Sequence, residues 1–164
     1  MNATDTRFKI TVALARDIPD VARLFAAYEA HIGVDLSYQG FADEVAALPG
    51  KYAPPGGQLL VARNREGRAI GCVALRAMAD AGCCEMKRLF VAPEGRGMGL
   101  GRALAEAIIE EARRLGYAEL RLDTLPSMRD AIALYRKLGF APTTPYYSAP
   151  EGTLFLARRL DAPA

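Results

Sequence analysis

The chain has 164 residues, of which 51% are hydrophobic and 24% are charged, and its formal net charge is +2. This length and composition are typical of one globular domain, residues 1–164, with a substantial core. The small net charge and the lack of a Lys/Arg run argue against a nucleic-acid partner. Apolar runs are too short to span a bilayer and the start lacks a secretory hydrophobic region, so we expect a cytoplasmic protein with no membrane partner.

The first third of the chain predicts a strand followed by two helices. Asp17 precedes apolar residues at helical spacing, so it is the expected N-cap of a helix that stops at Gly33. Pro and Gly dominate the segment after the second helix, which favours a loop. The predicted elements are a strand over 8–14, a helix over 18–32, a shorter helix over 41–48 and a loop over 49–57.

Three strands and a glycine-rich turn occupy the middle of the chain. Turn residues at 64–67 and 79–82 separate the strands 58–63, 69–78 and 84–91, which indicates an antiparallel meander. Cys72, Cys83 and Cys84 fall in these strands, and the one histidine, His31, is distant in sequence. The spacings of a zinc site are absent, so we expect no metal. Packed cysteines are favoured over reactive ones.

The last third predicts a helix, a strand, a second helix and a closing hairpin. The first helix is expected to pair Glu110 with Arg114 and to end at Gly116, and Ser127 with Asp130 resembles a capping box for the second. The buried stripe of the first helix is predicted at Leu100, Ala103, Leu104, Ala107, Ile108 and Leu115. The strand covers 119–124, the second helix carries apolar residues Met128, Ala131, Ile132, Tyr135 and Leu138 before Gly139, and the hairpin covers 140–147 and 153–160.

This element order indicates an α+β fold with three layers, α/β/α, in which about four helices flank a mixed, mostly antiparallel sheet. The strand–helix–strand unit over 84–124 predicts one parallel pair.

The turn over residues 91–102 predicts an anion site. It reads Val-Ala-Pro-Glu-Gly-Arg-Gly-Met-Gly-Leu-Gly-Arg and runs into a helix, where glycines and unpaired N–H groups suit phosphates. A P-loop would need a Lys-Ser/Thr pair, and a Rossmann turn would have another glycine period. The alternative is a tight turn without a ligand.

Three segments resemble the GNAT superfamily of N-acetyltransferases. Residues 96–101 are similar to its [Q/R]-x-x-G-x-[G/A] signature, 85–91 to its fourth strand, and 131–140 to its A-x-x-L-Y-x-x-x-G-F segment. The resemblance implies the GNAT fold and acetyl-CoA as co-substrate. The cofactor-binding residues it implies are Leu89, Val91, Arg96, Gly97, Met98, Gly99, Leu100, Gly101, Arg102 and Tyr135. One departure is Met128, where the family often has a cofactor-contacting Asn.

The same resemblance implies two catalytic residues. Acetyl transfer to an amine needs a proton acceptor, because an alkyl ammonium has a pKa of about 10.4. Glu85 is the leading general base, directly or through water, and Asp123 is its rival; the alternative for Glu85 is a salt bridge with Lys87 or a cross-strand partner. Tyr135 is the expected acid for the coenzyme A thiolate, with a core position as its alternative.

The acceptor is the least constrained part of the prediction. Tyr52, Lys87, Arg88 and Tyr146 are the candidate substrate-binding residues, and an acceptor carboxylate on Lys87 or Arg88 would favour an amino-acid-like amine. We therefore expect acetylation of a primary amine on a small molecule or amino-acid-like acceptor. A peptide N-acetyltransferase and a non-catalytic coenzyme A-binding module are the alternatives, and a homodimer is allowed.

Overall fold

The computed structural model describes residues 7–160, apart from the side chain of Tyr38. These residues form a seven-stranded sheet with helices on both faces, as the α+β prediction required. The strands are β1 Phe8–Val12, β2 Gln58–Asn64, β3 Ala69–Ala77, β4 Cys83–Val91, β5 Glu119–Thr124, β6 Ala141–Pro142 and β7 Leu154–Arg159. The helices are α1 Ile18–Ile32, α2 Phe41–Ala46, α3 Leu100–Arg114 and α4 Arg129–Lys137.

The sheet order is β1-β2-β3-β4-β5-β7-β6, and only the β4–β5 pair is parallel. Both the meander and the single parallel pair are thereby confirmed. The parallel pairing is short, running from Cys83 opposite Glu119 to Glu85 opposite Arg121. Beyond Glu85 the two strands are no longer paired, which leaves a gap in the middle of the sheet.

A bulge in β4 lies beside this gap. Arg88 has a φ of 60°, and the register with β3 shifts between Cys72 and Ala74. A bulge changes which face the following side chains occupy. Arg88 and Phe90 therefore lie on the α1–α2 face, as Glu85 and Lys87 do before them.

Two apolar clusters cover the two faces of the sheet, one under α3 and α4 and one under α1 and α2. The predicted stripe of α3 is partly shifted: Ala103, Ala107 and Leu115 are only half-buried. The buried residues of this helix are Leu100, Leu104, Ala105, Ile108, Ile109 and Ala112.

Three predictions about helix ends and helix surfaces are wrong. Ser127 and Asp130 form no capping box, because α4 begins at Arg129 without a side-chain cap. Glu110 pairs with Arg113 rather than with Arg114, one residue closer along the same face. The short helix α2 also ends at Ala46 rather than at residue 48.

Asp17 occupies the predicted N-cap position of α1, but its side chain makes no capping hydrogen bond to that helix. Its Oδ2 accepts from the Leu14 N–H at 2.8 Å, and its Oδ1 lies 2.7 Å from Arg63 Nη2. The Leu14 N–H and then the Arg63 guanidinium lower the pKa of this buried carboxyl. Asp17 therefore ties the segment before α1 to β2.

We expect Asp17→Asn to lower the free energy of unfolding at pH 7 by about 1.5–3 kcal/mol, the contribution of hydrogen bonds to a charged group. Because the folded pKa is lowered, this stabilisation is present above the unfolded pKa and is lost as the pH falls through the folded value. Urea denaturation at pH 7 and at acid pH measures it, with the exposed Glu151→Gln as control. A stability gap that stays constant down to the lowest pH would contradict the assignment.

The three cysteines are buried and free. Burial raises the pKa of Cys72 and of Cys84 to about 12, so both thiols stay protonated and unreactive. Across residues 7–160, no cluster of His, Cys, Asp or Glu is arranged to hold a metal. Over the same residues, no helix combines the length and apolar character that crossing a membrane requires.

Candidate active site

The glycine turn joins β4 to α3 at the edge of the gap. Gly97 and Gly99 have φ values of 80° and 76°, and Gly99 is the residue before the first turn of α3. A Cβ added at either position would meet nothing within 4 Å. The glycines are therefore needed for their backbone conformation, which directs the first N–H groups of α3 outward.

The side chains of the turn serve different ends. Arg96 Nε donates to the Val91 carbonyl at 3.2 Å, and Arg102 Nε lies 2.8 Å from Glu106 on the outer face of α3. Met98 and Leu100 pack into the core below α3. Of the predicted loop residues, Arg96 offers a charge to an anion here, and the others offer backbone groups.

A groove of about 570 Å³, the glycine groove, runs from this turn to α4. Arg96, Arg129 and Ser127 give it polar and cationic walls that suit a phosphate-bearing ligand. Its lining also includes Tyr28, Leu89, Val91, Gly101, Met128 and Tyr135.

The edge of β4 supplies N–H groups on the side of the gap. The Ala92 N–H donates to the Ile70 carbonyl of β3 at 2.9 Å. Because N–H groups alternate along a strand, those of Leu89 and Val91 point away from β3. These are the two predicted backbone donors, and both residues line the glycine groove.

Between the separated strands lies a central gap of about 20 Å³, enough for one water molecule. Tyr135 lines both this gap and the glycine groove, and its ring packs edge-on against Phe140. Burial raises the pKa of the Tyr135 hydroxyl, which therefore keeps its proton. The gap is lined by Tyr28, Met86, Lys87, Arg88, Leu89, Leu122, Asp123, Thr124, Met128 and Tyr135.

Asp123 brings a carboxyl group to the same gap. Burial raises its pKa, and the nearby Lys87 ammonium partly opposes this shift. Within residues 7–160, the Asp123 side chain forms no ion pair within 4.0 Å and no hydrogen bond to another side chain. Its carboxylate is therefore available to accept a proton.

Glu85, in contrast, is fully buried and already paired. Its Oε1 lies 2.8 Å from Arg76 Nε, directly across the β3–β4 pair, and its Oε2 accepts from the Tyr146 hydroxyl at 2.6 Å. Lys87 Nζ lies 4.0 Å from Oε1. Glu85 lines neither the central gap nor either of the two larger concavities. The cross-strand salt bridge, which was the alternative role for Glu85, is present.

A second concavity of about 620 Å³, the charged cavity, lies on the α2 side of the gap. Three predicted acceptor residues line it: Tyr52, Lys87 and Tyr146. Lys87 also lines the central gap, so the cavity and the gap share a wall. Its other polar and aromatic walls are Gln39, Asp43, Glu44, Lys51, Arg76 and Tyr147.

Arg88 does not line the charged cavity. Its Nε and Nη2 each lie 2.9 Å from a Glu44 carboxylate oxygen, and its guanidinium stacks 5.0 Å from the Phe41 ring centroid. The bulge turns this side chain into the space under α2, where its charge is neutralised. The predicted contact between Arg88 and an acceptor carboxylate has no support in this geometry.

Arg76 is a cavity residue that sequence reasoning missed. It follows seven residues of β3, 69–75, that are all buried and carry no charge. A single charge at the end of such a strand is the signal that could have identified it. The signal does not show which residue on the neighbouring strand would form an ion pair with Arg76.

Residues 30–140 match the acetyltransferase (GNAT) family. The chain belongs to that family. It is 45% identical, over 85% of each chain, to the uncharacterized N-acetyltransferase C1271.07c of Schizosaccharomyces pombe. It is 37% identical to the IAA acetyltransferase of Azospirillum brasilense, over 91% of this chain and 98% of that one.

The fold comparison agrees with this GNAT membership. The Salmonella typhimurium acetyltransferase yncA, solved with its cofactor acetyl-CoA, superposes with a TM-score of 0.69. The match covers 96% of each chain at 23% identity, and it concerns the fold alone. By its family, this GNAT protein is an acyl-CoA-dependent N-acetyltransferase.

Proposed function

We propose that this acetyltransferase moves the acetyl group of acetyl-CoA to the primary amine of a small acceptor by direct attack. One observation carries the proposal: the glycine groove and the charged cavity lie on either side of a gap that is lined by the Asp123 carboxyl and by the phenols of Tyr28 and Tyr135. The groove suits the co-substrate and the cavity suits the acceptor. A cavity of about 620 Å³ is in the usual range for small ligands.

The residues of the glycine groove fit a phosphate-bearing co-substrate. The open N–H groups at the start of α3 and the Arg96 guanidinium would hold the pyrophosphate. The N–H groups of Leu89 and Val91 would hold the arm that carries the thioester. A donor of this kind contributes about 2.7–4 kcal/mol when it stabilises a developing oxyanion.

A matched pair of glycine variants tests the groove. Gly67, in the β2–β3 turn, has a φ of 82° and open space around it, as Gly99 does with 76°. Alanine at either position costs about 1–2 kcal/mol of stability. We expect only Gly99→Ala to weaken acetyl-CoA binding, by about tenfold, because it redirects N–H groups that face the ligand.

Isothermal titration with acetyl-CoA and with coenzyme A gives the two dissociation constants. Equal weakening in Gly67→Ala and Gly99→Ala would show that the effect is one of stability only. An unchanged dissociation constant in Gly99→Ala would remove the turn from the binding site.

Asp123 is the proton acceptor that this geometry favours over Glu85. The attacking amine must lose a proton. Among residues 7–160, no other side chain pairs with the Asp123 carboxylate in the gap, whereas both oxygens of Glu85 are engaged. A raised pKa makes Asp123 a stronger base than an ordinary aspartate. It can accept the proton directly or through the one water for which the gap has room.

Tyr135 is the proton donor at the other wall of the gap. Acetyl-CoA supplies a thioester, whose C–S bond breaks as the new amide C–N bond forms. The buried Tyr135 hydroxyl holds its proton and can give it to the departing sulfur. Asp123 and Tyr135 therefore divide the two proton transfers between a base and an acid.

An acceptor screen tests the proposed function. We expect release of free thiol from acetyl-CoA with some members of a panel of small primary amines, and a gain of 42 Da on the acceptor, the mass of an acetyl group that replaces a hydrogen. Peptides with free N-termini or lysines form the comparison panel. Turnover with peptides alone would show that the acceptor is a protein and not a small molecule. Tight cofactor binding without any turnover would indicate a binding module.

A further inference from the structure

Burial of Glu85 costs folding free energy, because its carboxylate is completely removed from water. Burying a charge is costly unless partners hold it, and replacing a buried ion pair by apolar residues is often neutral or stabilising. Glu85 makes no contact with either large concavity. Its position is explained by what it holds, since both of its hydrogen-bond partners, Arg76 and Tyr146, line the charged cavity.

The Glu85 carboxylate orients the Arg76 side chain but engages only one of its N–H donors. Its Nε–H donates to Glu85, and within residues 7–160 this is the one hydrogen bond that the side chain makes. A guanidinium has five N–H donors in a planar fork, so the Nη groups remain for another acceptor. The side chain is 28% exposed, at the wall of the charged cavity.

Lys87 brings a second cation to the same place. Its Nζ lies 4.0 Å from the Glu85 oxygen that binds Arg76, and it donates to Gln39 Oε1 at 3.0 Å. An ammonium has three N–H donors, so this neutral partner leaves capacity for an anion. Two cations thus converge on one buried carboxylate, and both lie on the cavity wall.

The carboxylates that line this cavity do not neutralise the pair. Glu44 has both oxygens held by Arg88, and Asp43 is an exposed residue of α2. Asp123 faces the central gap instead. Within residues 7–160, Glu85 is the carboxylate within 4.0 Å of both cations, and Asp123 attracts Lys87 from the side of the gap. The remaining N–H donors of Arg76 and Lys87 are therefore available to an anion in the charged cavity.

We propose that Arg76 and Lys87 bind a carboxylate of the acceptor, so that the amine substrate is an amino acid. This inference rests on the proposed function. Glu85 is then a positioning residue that holds the Arg76 guanidinium toward the acceptor. The rings of Tyr146 and Tyr147, which pack on Phe155, leave an aromatic wall beside the carboxylate site for the amino acid's side chain.

Matched acceptor pairs test this inference: each amino acid is compared with its carboxamide, which keeps the amine and loses the charge. For the wild-type protein we expect kcat/KM to favour the acid by about 10- to 100-fold, the usual effect of hydrogen bonds between charged groups. Arg76→Gln should raise KM for the acid and leave that for the carboxamide nearly unchanged. Arg114→Gln, on the exposed face of α3, is the matched control and should behave as wild type.

Two further variants keep the test decisive if Arg76→Gln is poorly folded. Lys87→Gln should erode the same acid-over-amide preference. Glu85→Gln should raise KM for acids while kcat on carboxamides is retained, and Arg76→Lys should recover only part of the preference because it lacks the fork. An equal fall of kcat on acids and carboxamides in Glu85→Gln would make Glu85 a base and overturn its positioning role.

The outcomes separate this inference from the proposed function. If amines without a carboxylate are acetylated as well as amino acids, the carboxylate site is refuted and the proposed function stands. If no small amine is acetylated, the proposed function fails and the inference fails with it. If Arg76→Gln leaves the acid-over-amide ratio unchanged in a folded protein, the carboxylate is bound elsewhere.

Discussion

Tyr135→Phe should lower kcat for acetyl transfer by about 10²-fold or more, in the range usual for general acid–base catalysis, without changing acetyl-CoA affinity. The substitution removes one hydroxyl and keeps the ring that packs against Phe140. The hydroxyl stands where the central gap meets the glycine groove, and burial raises its pKa. Without it, the departing thiolate must take its proton from water.

Single-turnover measurement of thiol release separates this chemical step from binding. Tyr117→Phe is the matched control, because the Tyr117 hydroxyl donates to the Gly56 carbonyl away from the gap. We expect that variant to lose some stability and to keep its rate. A Tyr135→Phe protein with full kcat would show that Tyr135 is a packing residue, a role that its position on the apolar face of α4 permits.

Periodicity and turn chemistry were sufficient to predict most of the fold. The turn residues between β2, β3 and β4 and the glycine turn after Val91 are local signals, because backbone conformation is set by neighbouring residues. The turn was recognised for the same reason: positive φ at Gly97 and Gly99 requires glycine. The residues assigned to the co-substrate stay a prediction, which rests on this turn together with the family resemblance.

The proposed acceptor site depends on contacts between residues distant in sequence. The pairing of Arg76 with Glu85 follows from the β3–β4 register, and the contact of Tyr146 with Glu85 spans 61 positions. The bulge at Arg88 reverses the side-chain alternation of β4 within one residue, so its charge meets Glu44 under α2. No local pattern encodes a register or a bulge without glycine. This is why the sequence did not point to Arg76 and did not predict the pairing of Arg88 with Glu44.

The comparison of Asp123 with Glu85 shows the same limit. Both are carboxylates on strands beside the site, and the family resemblance favoured Glu85 because of its place on the fourth strand. The two strands separate just beyond Glu85, so the paired part of the sheet encloses Glu85 while Asp123 faces the opening. The availability of a base is thus decided by where the β4–β5 pairing stops.

Asp123→Asn should lower kcat/KM near neutral pH by about 10²–10⁴-fold, the usual contribution of general base catalysis. The amide keeps the size of the side chain but cannot accept the proton of the attacking amine. Binding of acetyl-CoA should be unchanged, because the groove that we propose for it starts from the other wall of the gap. The matched control is Glu119→Gln on the same face of β5, where the carboxylate is paired with Arg121 outside the gap.

The pH dependence identifies the group that is responsible. Burial raises the pKa of Asp123, so its carboxyl stays protonated to a higher pH than an ordinary aspartate, and the wild-type rate should rise as the pH passes through that raised value. In Asp123→Asn, the fall of the rate at acid pH that is due to Asp123 should disappear from the pH–rate profile. The part of the profile that is set by protonation of the acceptor amine should remain. A variant that keeps both its rate and its acid limb would return the role of base to Glu85, acting through the Tyr146 hydroxyl that contacts it at 2.6 Å.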